Sequence, residues 1–139
     1  MDRLDETLKR YGPLGGRILL SLMFIMSGWG KITGFAGTAA YMASRGMPHP
    51  ELLLPFAIAI ELGGGLMLLT GWKARLAASA IFLFIIPTTL IFHNFWAADA
   101  ASAQNQMIHF MKNVTIMGGM LYVAAFGAGP LSLDNRRRG

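Results

Sequence analysis

Four stretches of this chain, Leu14 to Ile32, Leu52 to Gly71, Leu76 to Phe95 and Ile108 to Ala128, are apolar over nearly their whole length. A hydrocarbon core about 30 Å thick needs ~20 residues of helix to cross it, and each stretch is of that order. The runs are continuous rather than alternating. In lipid a helix satisfies its own backbone groups, so an all-α bundle of four transmembrane helices is expected in preference to a β-barrel. Composition agrees: 54% of residues are hydrophobic and 14% charged, against roughly a quarter charged in soluble domains. The 139 residues make one domain. We divide them into an N-terminal cytoplasmic segment (1–13), a four-helix transmembrane domain (14–128) and a basic cytoplasmic tail (129–139). Without cysteine, disulfides, thiol catalysis and thiolate metal sites are excluded.

The basic residues set the expected orientation. Arg3, Lys9, Arg10 and Arg17 stand at the start, Lys73 and Arg75 in the second connection, and Arg136, Arg137 and Arg138 at the end. The other two connections hold only Arg45. Positive charge gathers on the cytoplasmic side, so both termini are expected there. The terminal arginines are also placed to touch anionic lipid headgroups. Scattered over three segments, these charges form no nucleic-acid-binding stripe. The first apolar stretch has a basic start, and the Ala-rich stretch Ala36 to Ala43 offers small residues for signal cleavage, but it is longer than a usual signal core and Lys31 interrupts its end, so it is read as a retained span.

Within these greasy segments the polar residues carry the functional information. Glu61 lies mid-segment, where even lenient insertion scales charge ~2.5 to 3.5 kcal/mol for an ionised group. Its candidate partners are Lys31, His93, His109 and Lys112. Under the expected topology, Lys31 ends the first span, Glu61 lies about two and a half turns into the second, His93 and Asn94 end the third, and Gln106, His109, Lys112 and Asn113 open the fourth. All fall in the outer half of the membrane, where a small bundle can gather them around one pocket. His109, Lys112 and Asn113 share a helical stripe. Gly28, Gly30 and Gly34, Gly63 to Gly65, and Gly118 and Gly119 offer surfaces for close helix approach, within one subunit or in a homo-oligomer. Pro87 frees the carbonyl of Leu83, with Thr88 and Thr89 able to reclaim backbone hydrogen bonds. The alanine-rich connection 97–104 is placed to act as a lid.

A plainer reading stands beside this one. Glu61 with Lys31 or Lys112 could be a neutralised pair that only fixes helix register. His93 and Lys31, near helix ends, could snorkel to the interface. Trp29, Trp72 and Trp96 read as interfacial anchors, and the methionines as filling or lipid-facing groups. The stretch from Gly28 to Gly34 opens no βαβ unit and fails the dinucleotide fingerprint. No serine sits in a nucleophile elbow. Glu61, His93 and His109 contain no close ligand pair, so neither a metal nor haem is expected. Glu61 as a proton acceptor, relaying through histidine to a membrane-soluble redox carrier, is chemically reasonable.

The blocks Arg17-Ile-Leu-Leu-Ser, Ser27-Gly-Trp-Gly-Lys-Ile, Phe35-Ala-Gly-Thr-Ala-Ala-Tyr, Glu61-Leu-Gly-Gly-Gly, His93-Asn-Phe-Trp and Gln104-Asn-Gln-Met-Ile-His-Phe-Met-Lys-Asn resemble the DoxX family of small bacterial membrane proteins, from about Gly15 to Ala125. The resemblance implies a four-helix core in the bacterial inner membrane. The family takes its name from subunits linked to quinol oxidase and thiosulfate:quinone oxidoreductase, so it also implies electron transfer with quinones, beside a redox enzyme partner. The polar positions it carries over are Lys31, Glu61, His93, Asn94, Gln106, His109, Lys112 and Asn113. We assign Glu61 and His93 to proton exchange and the others to ligand binding, with quinone as the expected cofactor. A non-catalytic scaffold that recruits a redox partner, and a small-solute carrier working as an oligomer, remain as alternatives.

Overall fold

The computed structural model describes residues 1–137 and is helical throughout, with no strand among them. Helix α1 (Asp2–Thr33) starts twelve residues ahead of the first apolar stretch, so the segment 1–13 is helix continuous with the span. At Gly34 the chain turns through 98° into α2 (Phe35–Ser44). By sequence pattern this region is plain connection; the break at Gly34 hides a short helix whose Ala39 and Met42 pack on Leu54. The second apolar stretch is one rod made of α3 (Pro50–Ile58), a π turn (Ala59–Gly63) and α4 (Gly64–Thr70). A short connection with two left-handed residues, Gly71 and Lys73, leads into α5 (Ala74–Phe92), then a 3₁₀ turn (Phe95–Ala97), α6 (Ala103–Phe126) and the small α7 (Leu133–Arg136). The basic run expected to meet lipid continues into Arg138, outside the described residues.

Two of these helical units, Pro50–Thr70 and Ala74–Ala97, are long and apolar enough to cross a membrane, and a third crossing is present if α1 and α2 form one broken span. At 24 residues α6 has the length, but the polar stretch from Gln104 to Asn113 dilutes its first half. Large apolar side chains such as Leu19, Phe56 and Tyr122 are exposed on the outside. On a soluble protein such a surface would be a liability; here it meets acyl chains.

The core is built from Phe24 of α1, Leu68 of α4, Ala77, Ala78, Ile81 and Ile85 of α5, and Met120 of α6. Lipid offers no hydrophobic drive between helices, so close backbone approach and packing must hold them. Gly28 shows this most directly. A Cβ there would lie 2.8 Å from both the Cβ and the backbone N of Leu62. Gly65 meets Ile25, and Gly64 meets Ile81, in the same way. These three glycines serve contacts inside the subunit, whereas Gly30, Gly63 and Gly118 face open space.

By sequence Arg17 counts among the topology charges. The structure corrects that: Arg17 is 1% exposed, on α1, and its guanidinium clamps the opposite end of the bundle from Glu61. Nε donates to the Ala128 carbonyl at 2.8 Å, Nη1 to Leu68 and Leu69 at 2.9 Å each, and Nη2 to Leu131. The Leu68 and Leu69 carbonyls belong to the last turn of α4, where acceptors run short of helical partners; Leu68 also accepts the Gly71 N–H. One side chain thus ties α1, α4 and the segment after α6 together. Gly71 admits it, since a side chain at that left-handed position would collide with Ser132 and Arg17.

Two substitutions test this packing. Gly28→Ala should lower the melting temperature in detergent, at the ~1 to 3 kcal/mol typical of overpacking, while Gly30→Ala, in open helix, should be neutral or gain up to ~1 kcal/mol. Arg17→Leu should leave the Leu69, Ala128 and Leu131 carbonyls without a donor and sharply reduce the monodisperse peak on size exclusion; at ~1 to 3 kcal/mol for each buried acceptor left bare, the loss is a large share of a marginal stability. Arg17→Lys should rescue little, because an ammonium cannot reproduce the planar fork.

Candidate functional site

The π turn brings Glu61 to its partner. Inserting a residue into a helix shifts the register of the turns beyond it, and such bulges gather at functional sites. Here the bulge spans Ala59–Gly63, with Glu61 at its centre and 7% exposed. The Gly28–Leu62 approach carries α1 alongside it. Lys31 Nζ stands 2.9 Å from Glu61 Oε2. It also donates to Ser27 Oγ at 2.7 Å, and Ser27 in turn donates to Glu61 Oε1 at 3.2 Å. Ser27 and Lys31 are four residues apart, one turn of the same helix face. The carboxylate is not fully satisfied: Oε2 feels the ammonium charge but receives no well-aligned hydrogen bond from the described residues.

This triad forms one wall of a cavity of about 530 Å³, within the usual range for small-ligand sites, roughly 300 to 1,000 Å³. His93, Lys112 and Asn113 line it as well, as do Thr38, Tyr41 and Thr88. Phe24, Met42, Phe84, Ile85 and Phe92 supply apolar walls. At the rim, Tyr41, Leu53 and Phe56 are 50%, 38% and 70% exposed, so the mouth opens on the outer surface of the bundle.

Of the eight residues expected at one pocket, five reach this cavity: Lys31, Glu61, His93, Lys112 and Asn113. Asn113 donates to Thr89 Oγ1 at 2.9 Å, which fixes α6 against α5. Lys112 Nζ lies 3.1 Å from His109 Nδ1. An ammonium can only donate, so with Lys112 charged His109 Nδ1 is the acceptor of that contact. His109 stays off the cavity wall and stacks on His93, ring centres 5.1 Å apart. His93 Nδ1 is 2.9 Å from Gln106 Oε1, so with that oxygen as acceptor the proton is on Nδ1.

Asn94 and Gln106 belong elsewhere. They line a second, polar cleft of about 450 Å³ with Arg45 and Asp99. Arg45 donates to Asn94 Oδ1 and to the Ile91 carbonyl. The 97–104 connection borders this cleft and not the Glu61 cavity; α2 covers the latter, through Thr38, Tyr41 and Met42. Asp99 is held below the usual carboxylate range by hydrogen bonds from the Ser102 hydroxyl and backbone N–H. Thr88 does turn back, to the Phe84 carbonyl, whereas Thr89 is engaged by Asn113. Sequence reasoning does not pick out Ser27 or the α2 residues. Ser27 carries a signal in its position one turn before Lys31, and Thr38 and Tyr41 lie in a block that carries the family resemblance, but the approach of α2 to the cavity depends on the bend at Gly34.

Comparison with known proteins shows the family. The DoxX family model matches residues 12–94, which include most of α1, the π turn and Glu61. The chain belongs to the DoxX family. A SURF4 family model also matches, over residues 54–139. The chain is 42% identical over 129 residues to inner membrane protein YqjF of Escherichia coli K12, covering 93% of this chain and 94% of that one. To inner membrane protein YphA of the same organism it is 37% identical over 120 residues, 86% of each. ER-derived vesicles protein ERV29 of Saccharomyces cerevisiae is 25% identical over 134 residues; these are 96% of this chain but 36% of that longer protein. No solved structure matches. With these relatives and its apolar helices, this DoxX-family chain is an integral inner-membrane protein.

The Lys31–Glu61 pair can be apportioned by a mutant cycle. Lys31→Met should destabilise more than Glu61→Gln, because it strands a buried carboxylate, whereas Lys31, with a quarter of its side chain exposed, can rehydrate. Melting curves of the double variant Lys31→Met/Glu61→Gln should recover much of the Lys31→Met loss.

Proposed function

We propose that the cavity takes the headgroup of a membrane-soluble quinone and that the protein serves as a quinone-interacting subunit or accessory of an oxidoreductase. The observation that carries this reading is a buried, incompletely satisfied carboxylate–ammonium–hydroxyl network on the wall of a cavity whose mouth opens on the bundle's outer surface. A ligand entering that way is lipophilic. A ligand reaching Lys31, Lys112 and Asn113 offers acceptor oxygens. Quinones meet both demands. Lys31 and Asn113 would donate to the two carbonyl oxygens, Glu61 and His93 would exchange the two protons that accompany two-electron reduction, and the partner enzyme would supply the electrons. His93 is placed to pass protons on, since it bonds Gln106, which lines the outer polar cleft.

In the same reading all four long helices cross the bilayer with both termini in the cytoplasm. Lys73, Arg75 and Arg137 lie at the end of the bundle that Arg17 clamps, and Arg45 at the other, as the positive-inside rule asks. Helix α6 can then keep its polar half turned to α5 and the cavity.

Organic extraction of purified protein, followed by mass spectrometry, tests this directly. The parent should carry quinone, and Glu61→Gln should retain at least tenfold less, a loss of ~1.4 kcal/mol in binding. Equal quinone content in a normally folded variant, or none in the parent, overturns the reading.

A further inference from the structure

A second cleft, of about 620 Å³, opens at the Arg17 end of the bundle, far from the Glu61 cavity and independent of the reading given to it. Its walls are the start of α5, the end of α6 and the segment from Gly127 to Arg137. Three cations line it, Lys73, Arg75 and Arg137, against one carboxylate, Asp134. That carboxylate is already engaged. Its two oxygens accept the backbone N–H groups of Lys73 and Ala74 at 2.7 and 2.9 Å, capping α5. Arg75 is pinned over the end of α6 by donating to the Ala124 and Ala125 carbonyls. Its charge is therefore held in place rather than free to swing away.

The surroundings set the level in the membrane. Lys73 Nζ lies 5.2 Å from the centre of the Trp72 ring, which is partly exposed, and tryptophan favours the headgroup layer. On the bilayer side the cleft is rimmed by Leu76 and Phe126, 61% and 77% exposed. Cations above and exposed apolar side chains below match a molecule with an anionic head and acyl chains. Basic pockets between helices at the cytoplasmic end of membrane proteins hold lipid headgroups in this way.

We propose that this cleft binds the headgroup phosphate of an anionic phospholipid through Lys73, Arg75 and Arg137, with the acyl chains lying along Leu76 and Phe126. The tail and α7 would then be held to the bundle by a lipid as well as by Arg17.

Native mass spectrometry of the full-length protein, in detergent micelles titrated with dioleoyl phosphatidylglycerol or dioleoyl phosphatidylcholine, tests the proposal. Phosphatidylglycerol should bind more tightly. Lys73→Asn, which suits the left-handed backbone there, and Arg137→Gln should each weaken it about fivefold, the loss expected for one cation near a lipid surface. Lys9→Gln removes the same charge from exposed helix outside the cleft and should leave binding unchanged. Equal affinity for the two lipids, or an equal loss in Lys9→Gln, would overturn the site in favour of diffuse surface charge. Loss in Lys73→Asn and Arg137→Gln alone, with melting temperatures kept, establishes it.

Discussion

A carboxylate inside an apolar bundle must be compensated where it stands, and the contact between Glu61 and Lys31 is the constraint on which much of this structure depends. The ammonium sits on another helix, so α1 has to run close to the second rod. That closeness requires Gly28, since any side chain would strike the backbone of Leu62. It also requires Glu61 to point at α1 rather than outward, which the π turn achieves by shifting the helical register at that level. Three features that look unrelated along the chain, a glycine, a bulge and an ion pair, are parts of one arrangement.

The two ends of the bundle solve the problem of buried polarity in opposite ways. At one end Arg17 gives its donors to carbonyls of two separate segments, the end of α4 and the stretch after α6, and is itself enclosed. Backbone groups are satisfied there, and the helices cannot separate without stranding a charge. At the other end the polar groups are left around an open volume, and Glu61 Oε2 lacks an aligned donor among the described residues. A bundle held at one end can tolerate incomplete packing at the other. The stability that the cavity forgoes is supplied by the clamp and by the Phe24–Ile81–Met120 core between them.

The sequence displays the helices because lipid imposes length and continuity on them, and it displays Glu61, Lys31, His93, Lys112 and Asn113 because charge and amide are conspicuous against an apolar background. The hidden features depend on geometry that periodicity does not encode. Arg17 reads as one more basic residue near a helix start until the chain folds the last turn of α4 and the tail around it. The α2 helix depends on the 98° bend at Gly34. Asn94 comes directly after His93, yet the helix has ended at Phe92 and the chain is turning there, so the two side chains serve different clefts. Glycine pairs look alike in sequence, although Gly64 and Gly65 face neighbours and Gly63 faces none.

The division between cavity and polar cleft also bears on how protons could move. Glu61 is buried, and the mouth of its cavity is edged by the exposed apolar side chains of Leu53 and Phe56, a route suited to a lipophilic ligand. His93 stands on the cavity wall with its Nδ1 2.9 Å from Oε1 of Gln106, which belongs to the cleft beyond. His109 stacks on His93 and stands beside Lys112, outside the cavity wall. Under the proposed quinone reading, ligand entry and proton exchange fall on different faces of the same bundle, one apolar and one polar. A structural ion pair alone would need neither the second cleft nor a histidine in the wall between the two.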